Sequence, residues 1–126
     1  DFGRCAAKVD DAFNYIPSRL CALFMVACAR PCGLDAKNAF AIWRRDRRRH
    51  ASPNSAQTES AMAGALRVRL AGDAVYFGKL HEKPTIGDDA RPIRAEDILS
   101  AHKLLYASAA CMLLIALLIR GAYAAL

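Results

Sequence analysis

The side chains best suited to chemistry lie in the stretch GKLHEKPTIGDD, residues 78–89. Lys79 and Lys83 supply cations, Asp88 and Asp89 supply carboxylates, and Gly78, Pro84 and Gly87 mark turns that leave side chains free. Nucleotide chemistry uses this mixture, with cations for phosphate oxygens and carboxylates for magnesium. Neither GxxxxGK[ST] nor GxGxxG occurs, so a P-loop and a Rossmann turn are excluded. An ordinary solvated loop has the same composition, and spacing alone leaves both readings open. A second stretch, His50-Ala51-Ser52-Pro53-Asn54, is followed by a carboxylate at Glu59. Its Ser, Pro and Asn end one helix and start the next, with Asn54 as N-cap and Gln57 completing a capping-box-like pair. His50, His81 and His102 form no HxxxH pair, which favours surface histidines over metal ligands.

The elements that must position these residues read as helices over residues 11–29, 36–49, 56–70 and 95–123. The helix over 56–70 places Met62, Ala63, Leu66 and Leu70 on one face and stops at Gly72-Asp73. Its small residues Ala61, Ala63, Gly64 and Ala65 permit close backbone approach. Ahead of it, Phe40 and Trp43 stand three apart beside the basic run RRDRRR. Such a helix can lie at a bilayer surface, aromatics inward and arginines toward headgroups, or serve simply as an orientation signal. Nucleic acid is the rival partner for so basic a run. No interleaved aromatics follow it and no nucleic-acid-binding module surrounds it, so no nucleic-acid partner is expected.

Between Lys103 and Arg120 lie sixteen residues without a charge, and apolar character resumes beyond Arg120. Residues 104–126 reach the roughly 20 that a membrane span requires if Arg120 snorkels to an interface. A buried core helix of that length needs a much larger protein around it. A second candidate span covers residues 13–29, with Pro17 in its first turn, Arg30-Pro31 and Gly33 as its stop, and Tyr15 and Arg19 as interfacial anchors. The segment 35–102 carries 12 of the 18 Lys and Arg residues and nine of the 12 acids, whereas residues 1–15 hold two bases and three acids. The positive-inside bias puts the long segment in the cytoplasm.

The fold class expected is therefore all-α: a fragment of a multi-pass membrane protein, with two candidate transmembrane helices and a helical cytoplasmic loop. With 55% apolar and 24% charged residues, the 126-residue chain is not disordered. Its formal net charge of +6 suits anionic partners, the lipid bilayer among them. Five cysteines without CxxC spacing favour neither a disulfide framework nor a zinc ribbon, and they read as reduced and structural. The chain begins at Asp1 and reads as a piece of something longer.

Three strings, in order along the chain, resemble one family. RRHASPNSAQTESAMAGAL, residues 48–66, is similar to a signature of the adenosylcobinamide-phosphate synthase family of cobalamin biosynthesis (CobD/CbiB). YFGKLHEKPTIGDDARPI, residues 76–93, resembles that family's second signature, continued by Glu96-Asp97-Ile98. FGRCAAKVDDAFNYIPSRLCAL resembles its helix opening with N-Y-[IL]-P-x-R-L, here residues 14–20. The resemblance covers nearly the whole chain and matches the C-terminal part of the family, making residues 1–126 part of one membrane domain. After Ser-Pro-Asn the family usually has Ala-Gly-aromatic-Pro-Glu; here stand Ser55, Ala56, Gln57, Thr58 and Glu59.

The resemblance implies an acid–amine ligase of the cell (inner) membrane. It would join adenosylcobyric acid to (R)-1-aminopropan-2-ol or its O-phosphate, using ATP and Mg2+, with other cobalamin-pathway membrane enzymes as possible neighbours. On that premise Lys79, Lys83 and Tyr76 bind substrate or phosphate, Glu59 and Asp88 hold magnesium, and His50, Asn54 and Glu59 serve the chemistry. The altered residues after Asn54 keep an alternative in view: a noncatalytic membrane sensor or scaffold with a degraded site.

Overall fold

A computed structural model describes residues 2–125; the side chains of Phe2 and Tyr76 lie outside the described set. Five helices dominate: α1 (Phe2–Phe13), α2 (Tyr15–Ala29), α3 (Ala36–Asp46), α4 (Ser55–Leu66) and α5 (Glu96–Ala124). The all-α expectation needs one correction. Between α4 and α5 run four short strands, β1 (Leu70–Ala71), β2 (Ala74–Tyr76), β3 (Lys79–His81) and β4 (Thr85–Ile86). They form two antiparallel pairs, one nested in the other. β1 pairs with β4 in the register Leu70 to Ile86, and β2 with β3 in the register Val75 to Leu80. The inner turn, Phe77-Gly78, has positive φ at both residues (50° and 75°), the conformation whose twist matches a two-residue hairpin.

The helix expected over 11–29 is two helices bent by 48°. Pro17 is the cause: it has no N–H to donate to the Phe13 carbonyl, and its ring crowds that carbonyl. Asn14 fills the break, bonding the Asp10 carbonyl and carboxylate through Nδ2. The second candidate span thus survives only as a bent pair, and among the described residues α5 is the one helix long and apolar enough by itself to cross a membrane. Only 11% of its apolar window is buried.

The helix expected to reach residue 70 ends at Leu66. Arg67 turns left-handed (φ 57°), and the amides of Arg67 and Val68 bond back to Gly64 and Ala63. That is a Schellman stop with Arg where glycine is usual, and the Val68 side chain is buried behind it. Leu70 accordingly sits on a strand, not on the helix face. The helix over 36–49 likewise ends three residues early, at Asp46. Its Trp43 is buried against α4 rather than turned to a bilayer surface.

α4 is the centre of the molecule. α2, α3, α5 and β4 all pack against it, and eight of its 12 residues are buried. The main core cluster joins Ala22, Met25 and Ala29 of α2 to Ala39 and Trp43 of α3, Ala61 and Ala65 of α4 and Leu104 of α5. Alanines let these helices approach closely, and Gly64 is the extreme case. A Cβ there would lie 2.7 Å from the Asn38 carbonyl oxygen and the Ala39 Cα. The Asn38 side-chain Nδ2 donates to the Gly64 carbonyl at 2.8 Å, stitching α3 to the α4 backbone.

Candidate functional site

Asn54 takes the N-cap position of α4 that the Ser-Pro-Asn sequence predicts, yet its side chain makes no cap bond. Instead Nδ2 donates to the Asp11 carbonyl at 2.8 Å, and Oδ1 accepts from Ser18 Oγ and Arg19 Nη1 at 3.2 and 3.3 Å. Ser52 Oγ donates to the Asp11 carboxylate at 2.8 Å. The capping-box expectation fails for Gln57 too. Its side chain points inward, Oε1 accepting from Trp43 Nε1 at 3.0 Å and Nε2 donating to the carbonyls of Arg47 and Pro53. Buried amides settle where the largest number of otherwise unsatisfied partners is found, and an interhelical junction offers more than one exposed helix turn. The motif at residues 14–20 and the Ser-Pro-Asn motif are thereby one structure. Arg19, expected as a membrane anchor, is drawn into it, its guanidinium 3.4 Å over the Tyr15 ring.

Asp46, the single acid inside RRDRRR, joins the two signatures. Its fully buried carboxylate accepts from Arg45 Nε and Nη2 at 2.8 Å each and from the Gly87 amide at 2.9 Å, with Arg49 Nε at 3.2 Å. Burial pushes this carboxyl up, but the Arg45 and Gly87 hydrogen bonds and the arginine charges outweigh it and hold it below the usual range. Gly87 (φ +86°) admits no side chain, since a Cβ would collide with the Val68 carbonyl oxygen. The turn at Ile86-Gly87 is thus pressed onto α4 and held at the end of α3.

Two clefts flank a ridge of His50 and Ala51, residues that line both. The larger, about 670 Å³, is lined by Arg49, His50, Glu59, Asp73, Glu82, Lys83 and Pro84 among others. It brings together three residues expected from the sequence: His50 and Glu59 from the first signature and Lys83 from the second. Both signs of charge line it. The Lys83 amide donates to Asp73 Oδ1 at 3.0 Å, fixing the chain that carries the lysine. The His50 Nδ1 accepts the Ser52 amide at 3.1 Å, which leaves Nε2 as the nitrogen available to a ligand.

The other expected residues are placed elsewhere. Asp88 is not among the residues lining that cleft; it pairs with Arg45 Nη1 at 2.8 Å. Lys79 is exposed on the hairpin opposite Tyr76, whose side chain lies outside the described set. Asn54 is a buried junction rather than a cleft wall. Among the described residues no three of His, Cys, Asp and Glu are grouped to hold a metal unaided.

The smaller cleft, about 460 Å³, is lined by Tyr15, Arg19, Arg47, Arg48, His50 and Gln57, with Ala51 and Pro53. Asp46, Arg19, Arg47 and Arg48 are the site residues that sequence reasoning missed. A lone acid within a basic run was the available signal for the first.

Arg91 closes the arrangement at the opposite end. Its guanidinium forms a bidentate pair with Asp97 at 2.6 and 2.8 Å and caps the Leu66 carbonyl at 2.8 Å, tying the end of α4 to the start of α5. Asp97 also accepts the Arg94 amide. The Arg91 hydrogen bonds, with that amide, bring its carboxyl down to about 2.

The sequence profile of a family described as CobD/Cbib protein matches residues 1–105. The chain is 48% identical over 120 residues to "Cobalamin biosynthesis protein CobD" of Clostridium perfringens, an alignment covering 95% of the chain and 38% of that protein. The protein of the same name from Streptococcus sanguinis is 52% identical over 106 residues, 84% of the chain and 34% of the relative. That from Desulfotalea psychrophila is 43% identical over 119 residues, 94% and 36% respectively. The chain thus spans little more than a third of the length of these relatives. No solved structure matches it.

Proposed function

The chain belongs to the CobD/CbiB protein family, and on that premise we propose that it serves cobalamin biosynthesis as part of an ATP-dependent acid–amine ligase. The reaction joins adenosylcobyric acid to (R)-1-aminopropan-2-ol or its O-phosphate. The observation that carries this reading is the larger cleft, which gathers His50, Glu59 and Lys83 from two separate signatures into one cavity with both signs of charge. Its volume is within the range of small-molecule sites, roughly 300–1,000 Å³.

A carboxylate is a poor acylating agent. In the reaction proposed, a carboxylate oxygen of the corrinoid attacks the terminal phosphorus of ATP, ADP leaves, and an acyl phosphate forms. The amine nitrogen then attacks the acyl carbon, phosphate departs, and the nitrogen's proton passes to a base. Lys83 is assigned to the phosphoryl oxygens, where charge develops. His50, through Nε2, is assigned to the proton. Magnesium is held by one or two carboxylates together with substrate phosphates, and the cleft wall fits that requirement through Glu59, with Asp73 and Glu82 in the same lining. Since Arg45 already holds Asp88, Glu59 is the carboxylate we assign to the metal. Asn54 positions the ridge that carries His50. We further place the protein in the cell (inner) membrane through α5, with residues 35–102 toward the cytoplasm, where ATP is available.

Lys83→Ala and Glu59→Gln, each made in the full-length enzyme, should reduce amide formation at least about a hundredfold, since each removes a charged contact to the transferring group. Expression and membrane insertion should be unchanged. Hydroxylamine should trap the activated acid as a hydroxamate with the native enzyme. Near-native turnover by both variants would place the chemistry outside this cleft.

A further inference from the structure

We propose that the smaller cleft, between the α1–α2 bend and residues 47–57, binds the phosphate group of a phosphate monoester. Three guanidinium groups, those of Arg19, Arg47 and Arg48, line this cavity of about 460 Å³, and no acidic side chain does. No carboxylate among the described residues pairs with any of the three. The contacts they make are neutral ones. Arg19 donates to the Tyr15 carbonyl and Asn54 Oδ1 and lies over the Tyr15 ring; Arg47 lies 4.8 Å over the Trp43 ring. Such contacts orient a guanidinium without neutralising it.

Beneath the arginines, the Gln57 amide and the His50 Nδ1 are already used. Gln57 spends its amide on Trp43, Arg47 and Pro53, and His50 Nδ1 is taken by Ser52. What remains lining the cavity is positive charge without a paired carboxylate, on the oriented forks of Arg19 and Arg47 and on the exposed Arg48. A carboxylate would neutralise one of the three; a phosphate monoester dianion has both the charge and the three oxygens to engage more than one fork. The structure holds this site apart from the larger cleft by the His50–Ala51 ridge, so phosphate is held beside the proposed reaction centre and not within it. Phosphate binding is read without turnover and without nucleotide, so its failure and a failure of the ligase reading are separate results.

The test is calorimetric titration of the full-length protein in detergent with inorganic phosphate and with glycerol 3-phosphate. A parallel arm uses nanodiscs containing phosphatidic acid or, as control, only phosphatidylcholine. Arg48, exposed and without an ion pair, is the residue whose loss least disturbs the fold, and Arg47→Gln is the second variant. Each should weaken binding about tenfold or more, the worth of a charge-assisted hydrogen bond. Arg48→Lys should recover part of the loss, and Arg44→Gln, on the same helix end but outside the cleft, should change nothing. Binding of the soluble probes identifies a dissolved phosphate monoester as the source; binding confined to phosphatidic acid nanodiscs and lost in Arg48→Gln identifies a lipid headgroup. Absence of binding in every arm, or an equal loss from Arg44→Gln, overturns the proposal.

Discussion

α4 and α5 both lack the division into apolar and polar faces that marks an ordinary surface helix, and they occupy opposite surroundings. Eight of the 12 residues of α4 are buried inside the chain's own fold, against Leu104 and Ser108 alone among the buried residues of the 29-residue α5. The difference lies in side-chain size. α4 reads SAQTESAMAGAL, so neighbouring backbones can press against it from several sides, and its buried Gln57 and Ser60 find partners there. α5 carries Leu113, Leu114, Leu117, Leu118 and Ile119, all exposed among the described residues. Small residues let other helices approach α4 closely, whereas large aliphatic residues make α5 a candidate for a hydrocarbon surround.

The contrast breaks most completely at Gly64. Gly64→Leu places carbon atoms where the α3 backbone already lies, and backbone cannot yield as a flexible side-chain tip does. We expect a loss of about 4 kcal/mol or more, read as the disappearance of cooperative thermal unfolding in detergent. A variant as stable as the native protein would show that the seam has slack. The corresponding change in α5, Leu114→Asp, leaves the helical bundle intact but opposes insertion by about 3 kcal/mol near a span's centre. Carbonate extraction should release a measurable fraction of Leu114→Asp and none of Leu114→Ala. Equal retention of both would mean that α5 does not face lipid.

The smallest effect concerns the clip between the two helices. The Asp97 carboxyl, at about 2 in the folded protein, lies below its ordinary value near 4. Its contribution to stability is therefore present above about pH 4 and is lost as pH falls from there through about 2. Asp97→Asn removes that dependence. Between pH 5 and pH 2.5 the thermal midpoint of the native protein should fall further than that of the variant; parallel curves would exclude the clip as a stabilising contact.

What the sequence made legible was local. Pro17, Asn54 and the apolar run of α5 announce a helix start, an N-cap position and a candidate span because each acts on its own neighbours. The Asn54 side chain was illegible because its partners, Asp11 and Arg19, are more than 30 residues away, and nothing in Ser-Pro-Asn distinguishes a cap from a junction. The β1 strand was hidden for a related reason. Arg67 stops α4 in a conformation that arginine seldom adopts, and the strand's partner, Ile86, comes only after the hairpin. For the site, the signatures supplied His50, Glu59 and Lys83, which the fold gathers in one cleft. The pairing of Asp88 with Arg45 depends on helix α3 meeting the turn at Gly87, and the cationic cleft on residues 47–57 meeting the start of α2, contacts that no local pattern encodes.

The Gly64 seam also governs how the gene can drift. Every amino acid one base change away from a glycine codon brings a Cβ, and at position 64 every Cβ collides with backbone. Codons for leucine and isoleucine in the second half of α5 are one base from valine, methionine or phenylalanine, each of which keeps an aliphatic or aromatic surface. Point mutation at codon 64 is therefore met by purifying selection from the first step, while the α5 codons wander among near-equivalents. Two helices of one chain are expected to keep evolutionary time at different rates within one reading frame.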